Sequence, residues 1–271
     1  MQELSLKELQ QVCLDILKDV HAFCESNNIR YSIAYGTLIG ALRHKGFIPW
    51  DDDVDIVMPR PDFERFCKEY RSDKLRLIYY GNDRSALAAF ARVVDCDRTD
   101  YRTERPWTKQ TSGVWIDIFP LDGVVSQKEY TRRYNRLKRI SWFVYKFRRQ
   151  NHHITASDSL WSKTKTVIAR IFGLNGWLPY AILRHVVSVM TKYRFEESRF
   201  YGQMSCLDDG PIMFDREGFE DTVLLDFEDT RFRAMKGYDK ALRQLYGDYM
   251  QLPPEEKREP KQYWIHFLWK N

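Results

Sequence analysis

The segment Trp50-Asp51-Asp52-Asp53-Val54-Asp55-Ile56-Val57 constrains this chain more than any other. In a strand, alternate side chains point to opposite faces, and residues i and i+2 stand about 6.8 Å apart along the chain. Asp53 and Asp55 are therefore expected on one face, and Asp51 joins them if the strand reaches that far. Val54, Ile56 and Met58 point the other way, as the inward face of a half-buried strand requires. Carboxylates gathered this closely repel one another and resist leaving water. A divalent cation removes that cost, and an all-oxygen ligand set favours Mg²⁺, with Mn²⁺ as a substitute. The competing reading is an acidic turn on a solvated surface. The period-two apolar set and a Gly-Thr break just upstream favour the metal site.

That break, Gly36-Thr37, follows a predicted strand at Tyr31–Tyr35 and precedes a predicted helix at Leu38–Lys45. A strand that ends this way presents backbone N–H groups and the positive end of a helix to a phosphate. Arg43 and Lys45, late in the helix, read equally as phosphate ligands and as a solvated helix end. A third carboxylate is expected from a neighbouring strand. Asp117 sits among apolar residues in Val114–Phe119, where a lone acid is costly unless it has a partner. Asp122, in Pro120-Leu121-Asp122-Gly123, reads as a turn residue.

Elsewhere the pattern is mixed helix and strand. Ser5 and Glu8 form a capping box, and apolar residues from Leu6 to Cys24 recur at helical spacing until Asn27-Asn28. Pro61 opens a helix to about Tyr70. Strands are predicted at Leu75–Tyr79 and Phe90–Val94. A last helix, Tyr238–Tyr246, stops at Gly247, and Pro253-Pro254 implies an irregular tail. Between these parts, residues 126–199 carry sixteen Lys/Arg against four acids, a net charge of +12, while the rest of the chain is −7. Helices are predicted there at 128–149, 160–172 and 178–195. The expected division is a catalytic core, 1–125 with 200–271, and a basic, aromatic-rich helical insertion, 126–199.

Composition excludes some classes. Charged residues make up 30% and no apolar run reaches the length of a membrane span, so no spanning helix is expected. The polar start, Met1 to Glu8, does not resemble a signal peptide, which points to a cytosolic protein. The five cysteines are odd in number and scattered, without C-x-x-C, so neither disulfides nor a zinc site is expected. His152-His153 reads as a loop pair. The basic segment, with Trp161, Phe172 and Trp177, suits a peripheral contact with the inner face of a membrane as well as it suits a helical subdomain with a solvated basic face. No nucleic-acid-binding motif is present, so nucleic acid is not an expected partner.

The run from Tyr35 through Gly36-Thr37 to Trp50-Asp51-Asp52-Asp53-Val54-Asp55-Ile56 closely resembles the signature of the LicD family, which includes bacterial phosphocholine transferases. The catalytic domains of fukutin and fukutin-related protein are similar. The resemblance continues at Phe90–Asp95, Ile116–Gly123, Gly237–Pro254 and Lys257-Arg258, and no motif of it falls in 126–199. It implies an α+β, nucleotidyltransferase-like fold: a mixed sheet with flanking helices. It implies a CDP-linked donor, most often CDP-choline, and a phosphodiester formed on a sugar hydroxyl of a lipid-linked or polymeric glycan precursor, of teichoic acid or lipopolysaccharide type, with CMP leaving. The family's metal-holding acids carry over to Asp53 and Asp55, and with them Asp51 and Asp117. On that reading Gly36, Thr37, Arg43 and Lys45 hold the phosphates, and Asp117 accepts the acceptor's proton. Trp50, Tyr101, Trp107, Trp115, Tyr246 and Tyr249 are the candidate aromatic faces for choline. Other readings use the same acids: a CDP-ribitol or CDP-glycerol donor, or transfer of a nucleotide itself. A basic membrane- or polymer-binding module with an incidental acidic loop is the non-enzyme alternative.

Overall fold

The computed structural model describes residues 2–83, 86, 88–104, 112–152, 159–161, 164, 177–207, 210–260, 262 and 264–270, with the backbone alone for 142–152 and 177–179. Most of the expected helix at 160–172, all but residues 160, 161 and 164, lies outside the described residues, as do Trp107, Phe172, His153 and the side chain of Trp177.

Helix α1 (Leu6–Asn27) starts on the expected capping box: the Glu8 N–H donates to Ser5 Oγ, and the Ser5 N–H donates to Glu8 Oε2 at 2.8 Å. It ends at Asn28, whose left-handed backbone (φ 52°) closes the last turn. Leu9, Val12, Cys13, Ile16, Leu17, Val20 and Cys24 form its buried face. Each such side chain contributes about 1.5–3 kcal/mol by leaving water.

That face covers a seven-stranded mixed sheet. Its strands are β1 (Ser32–Ile33), β2 (Asp55–Pro59), β3 (Arg76–Ile78), β4 (Ala91–Asp95), β6 (Val114–Val124), β7 (Phe200–Gln203) and β8 (Met213–Asp215). Their order is β1-β2-β6-β4-β3, with β7 on β6 and β8 on β7. Among the described residues only β2 and β6 run parallel; the other pairs in this sheet are antiparallel. Helices α2 (Tyr35–Arg43) and α3 (Arg60–Glu69) belong to the same core. The mixed α+β architecture is the one expected.

Strand β6 is the spine, and it is longer than its sequence suggests. Pro120 cannot donate to a neighbouring strand, so Pro120-Leu121-Asp122-Gly123 reads as a turn. In the molecule β6 runs on to Val124. Along one edge it pairs with β4 through Ile118 and then with β7 from Leu121, so Pro120 falls in the gap between partners. Asp122 is therefore no turn residue. It is fully buried and forms a two-pronged ion pair with Arg60, at 2.7 and 2.8 Å.

The basic segment leaves from the end of β6 and returns as β7 beside it. Helix α4 (Gln127–His152) and α5 (Trp177–Met190) flank this excursion. Tyr130, Tyr134 and Leu137 of α4 pack with Leu183, Val186 and Met190 of α5 against Val124 and Met204. Arg133 is buried, and its guanidinium donates to the carbonyls of Met190 and Gly123, tying both helices to β6. Among the described residues no helix is long and apolar enough to cross a membrane.

Two ribbons complete the fold. A short helix α6 (Glu217–Glu220) precedes β9 (Thr222–Phe227) and β10 (Thr230–Met235), which form a hairpin. Helix α7 (Tyr238–Tyr246) stops at Gly247 as expected. The tail after Pro253-Pro254, expected to be irregular, makes a 3-10 turn at Glu255–Lys257. It then returns as β11 (Ile265–Trp269), paired with β5 (Thr99–Thr103). That pairing joins segments some 160 residues apart, and neither strand carries a local signal strong enough to reveal it.

Candidate active site

The acidic loop is assembled by α2 and β2 together. The expected strand over Asp53–Val57 forms only from Asp55, where its parallel pairing with β6 begins. The Asp51 N–H donates to the Ile48 carbonyl, so the backbone is turning where alternation is expected. Three consecutive acids then gather: Asp51, Asp52 and Asp53 bring one carboxylate oxygen each within 4.8 Å of one another. Asp51 and Asp52 are buried. Period-two reasoning misses Asp52, which falls out of phase with the other acids. Its Oδ2 accepts the Gln262 N–H at 2.8 Å, so the tail holds it in place.

Asp55 opens β2, and its register partner across the parallel pair is Asp117. The next partner, across β4, is Arg92. Asp55, Asp117 and Arg92 thus form a row across three strands, on one face of the sheet. Arg92 Nε donates to Asp117 Oδ1 at 2.7 Å, which supplies the partner that a lone acid in this strand requires. Val54, Ile56 and Met58 point into the main core, as expected.

The candidate phosphate residues behave differently from one another. Helix α2 starts at Tyr35 rather than Leu38, so Gly36-Thr37 is its first turn and no break. Tyr35 makes the reversal from β1 with a left-handed backbone (φ 48°), a conformation costly for a bulky side chain. A Cβ on Gly36 would stand 2.5 Å from Asp51 Oδ2, so only glycine lets this carboxylate reach the positive end of α2. The Thr37 hydroxyl accepts the Asp55 N–H at 3.0 Å and anchors the start of β2. Arg43 donates to the carbonyls of Tyr249 (3.1 Å) and Gln251 (3.3 Å), fastening the tail. Burial, and then the charge of Arg258, hold its guanidinium below the ordinary value, while Asp51 pulls the other way. Lys45 is exposed, and its backbone carbonyl accepts from Glu228; no described contact brings its ammonium to the acids.

Cys13 of α1 lies beneath the loop. Its thiol is pushed well above the ordinary range, first by burial and then by the negative charges of Asp53, Asp52, Asp117 and Asp51. These four carboxylates therefore act on one small region. Their chemistry fits a hard divalent cation: oxygen donors, with no histidine or cysteine among the clustered ligands.

Of the candidate aromatics, Trp115 packs edge-on against both Tyr101 and Phe267, and Tyr249 is buried with its hydroxyl on Asp239. Trp50 carries the Arg258 guanidinium 5.7 Å above its ring. Tyr246 is 44% exposed at the end of α7. The aromatic group beside the acid row is another one. Phe119, two residues beyond Asp117, meets Phe90 at 4.8 Å and Tyr35 at 6.0 Å. A cavity of about 360 Å³ near Tyr201, Phe214 and Lys240 is lined by none of these acids, and its two lysines are already ion-paired with Asp215 and Asp221.

Residues 28–170 match the family described as "LicD/FKTN/FKRP, nucleotidyltransferase domain". The chain is 34% identical over 270 residues to the lipopolysaccharide cholinephosphotransferase LicD of Haemophilus influenzae, covering 96% of this chain and 97% of that one. Two uncharacterised Rickettsia proteins, from R. typhi and R. prowazekii, are each 51% identical over shorter stretches, of 59 and 47 residues, covering about a fifth of each chain.

Proposed function

The chain belongs to the LicD family, and from that membership we propose that it transfers phosphocholine from CDP-choline to a sugar hydroxyl of a cell-surface glycan precursor, releasing CMP. The observation that carries this reading is the pairing of the Asp51–Asp53 cluster with the Asp55–Asp117–Arg92 row, next to an aromatic shelf. The similarity to a lipopolysaccharide cholinephosphotransferase favours an acceptor of lipopolysaccharide type over teichoic acid.

In this mechanism Asp51, Asp53, Asp55 and Asp117 hold Mg²⁺ (or Mn²⁺), which when bound neutralises charge on the diphosphate and on departing CMP. The acceptor hydroxyl oxygen bonds to the phosphorus that bears choline, and the bond from that phosphorus to the oxygen of CMP breaks. The hydroxyl proton passes to a carboxylate, which we assign to Asp117; Arg92 fixes the direction that this carboxylate faces. Thr37 and Gly36 act indirectly, by seating Asp55 and Asp51. The faces of Tyr35, Phe90 and Phe119 suit the quaternary ammonium of choline, each such contact being worth roughly 0.5–2 kcal/mol. Leu160 and Trp161, exposed within the basic segment, suit contact with the membrane that carries the acceptor.

The test is CMP release from CDP-choline with Mg²⁺, with and without a lipid-linked oligosaccharide. Release is expected to depend on metal and to fall at least about a hundredfold in Asp53→Asn, with the melting temperature unchanged. Pyrophosphate released from a nucleoside triphosphate would replace this reading with nucleotide transfer, and turnover of CDP-ribitol or CDP-glycerol alone would change the donor.

A further inference from the structure

Three observations single out Arg92. Its guanidinium lies over two rings, 4.4 Å from the centroid of Trp115 and 5.4 Å from that of Phe90. Its Nε is spent on Asp117, and among the described residues its two Nη nitrogens donate no hydrogen bond. The side chain remains 17% open to solvent. A guanidinium held against two rings and oriented through Nε has lost much of its rotational freedom before any ligand arrives. Its Nη edge then offers a planar set of N–H donors, the geometry that binds phosphate oxygens in pairs.

Among the described residues, neither of the two cations expected at the phosphates is so placed. Arg43 is engaged by the tail carbonyls, and Lys45 lies in solvent. The carboxylates of this site repel a diphosphate, so the anion needs a fixed positive partner beyond any metal ion.

We propose that Arg92 is a direct ligand of the donor's diphosphate, gripping it through the Nη edge while Nε holds Asp117. This rests on the reading above in placing a diphosphate donor at these acids. Asp117 and the transferring phosphoryl group then share one guanidinium, which fixes the distance between them.

The experiment is calorimetric binding, with Mg²⁺ present, of pyrophosphate, CDP-choline and cytidine to the full-length wild type, Arg92→Met and Arg92→Lys. Arg92→Met is expected to weaken pyrophosphate and CDP-choline about ten- to a hundredfold, because it removes charged hydrogen bonds, and to leave cytidine unchanged. Arg92→Lys keeps the charge but not the planar donor pair, and is expected to fall between. If Arg92→Met melts early, Arg92→Lys decides: a several-fold loss for pyrophosphate alone supports the proposal. Pyrophosphate held no better by wild type than by the variants overturns it. An equal loss for cytidine also overturns it, since that reports a collapsed site. Arg92-dependent pyrophosphate binding without binding of CDP-choline supports the assignment of Arg92 and rejects the donor.

Discussion

At the scale of single residues, exposure decides what an ion pair does in this molecule. Arg60 and Asp122 are an ion pair sealed in the core, with side chains 7% and 0% exposed. Removing one partner leaves a buried charge without its counter-ion. Asp122→Ala is expected to cost about 3–5 kcal/mol in chemical denaturation, while the double change Arg60→Met with Asp122→Leu recovers most of that loss. Equal losses in the single and double variants would show that packing, not charge, is responsible. Asp117 and Arg92 repeat this pairing at the mouth of the site, where solvent reaches them. That difference in exposure separates a pair that builds the fold from one that is free to meet a ligand. Sequence reasoning identifies Asp117 as an acid in need of a partner. The partner comes from a strand two dozen residues away, and only the register of β4 on β6 supplies it.

At the scale of elements, α2 organises the acidic loop. Its first turn touches Asp51 through Gly36 and Asp55 through Thr37, so a nine-residue helix sets the positions of two carboxylates. Alanine normally stabilises a helix by up to about 1 kcal/mol over glycine. Gly36→Ala is therefore expected to melt no lower than wild type, yet to displace Asp51, weaken Mn²⁺ binding about tenfold and lower the rate of CMP release. Retained Mn²⁺ affinity would show that Asp51 moves aside without consequence. The tail is the second organising element. It reaches Arg43 through two carbonyls and Asp52 through the Gln262 N–H, so it fastens the loop from the opposite side.

At the scale of the whole molecule, charge is segregated. The +12 segment is rooted in the core through Arg133, Tyr130 and Tyr134. Farther along it exposes Leu160 (83%) and Trp161 (68%), two large apolar side chains. Wild type is expected to sediment with anionic vesicles at low salt and to be released as salt rises. Leu160→Ser with Trp161→Ser is expected to halve the bound fraction or more, leaving CMP release to a soluble acceptor intact. Absence of sedimentation at low salt would leave the basic helices with a solvated role only.

Legible in the sequence were the mixture of helices and strands, the first helix with its cap and the position of the acidic motif, whose resemblance then implied the family and its α+β fold. Each of these is written in local spacing: period two for the strand, about 3.6 for the helix, and a contiguous run for the motif. Tertiary structure alone decided which side chains meet. It added Asp52 to the cluster, because a turn breaks the alternation at Asp51. It drew Arg43 to the tail and set Arg92 in its place beside the acids. It carried β6 through Pro120, because the change of partner strand there demands no N–H. Such pairings join residues far apart in the chain, and their energies depend on register and burial, which no local pattern encodes.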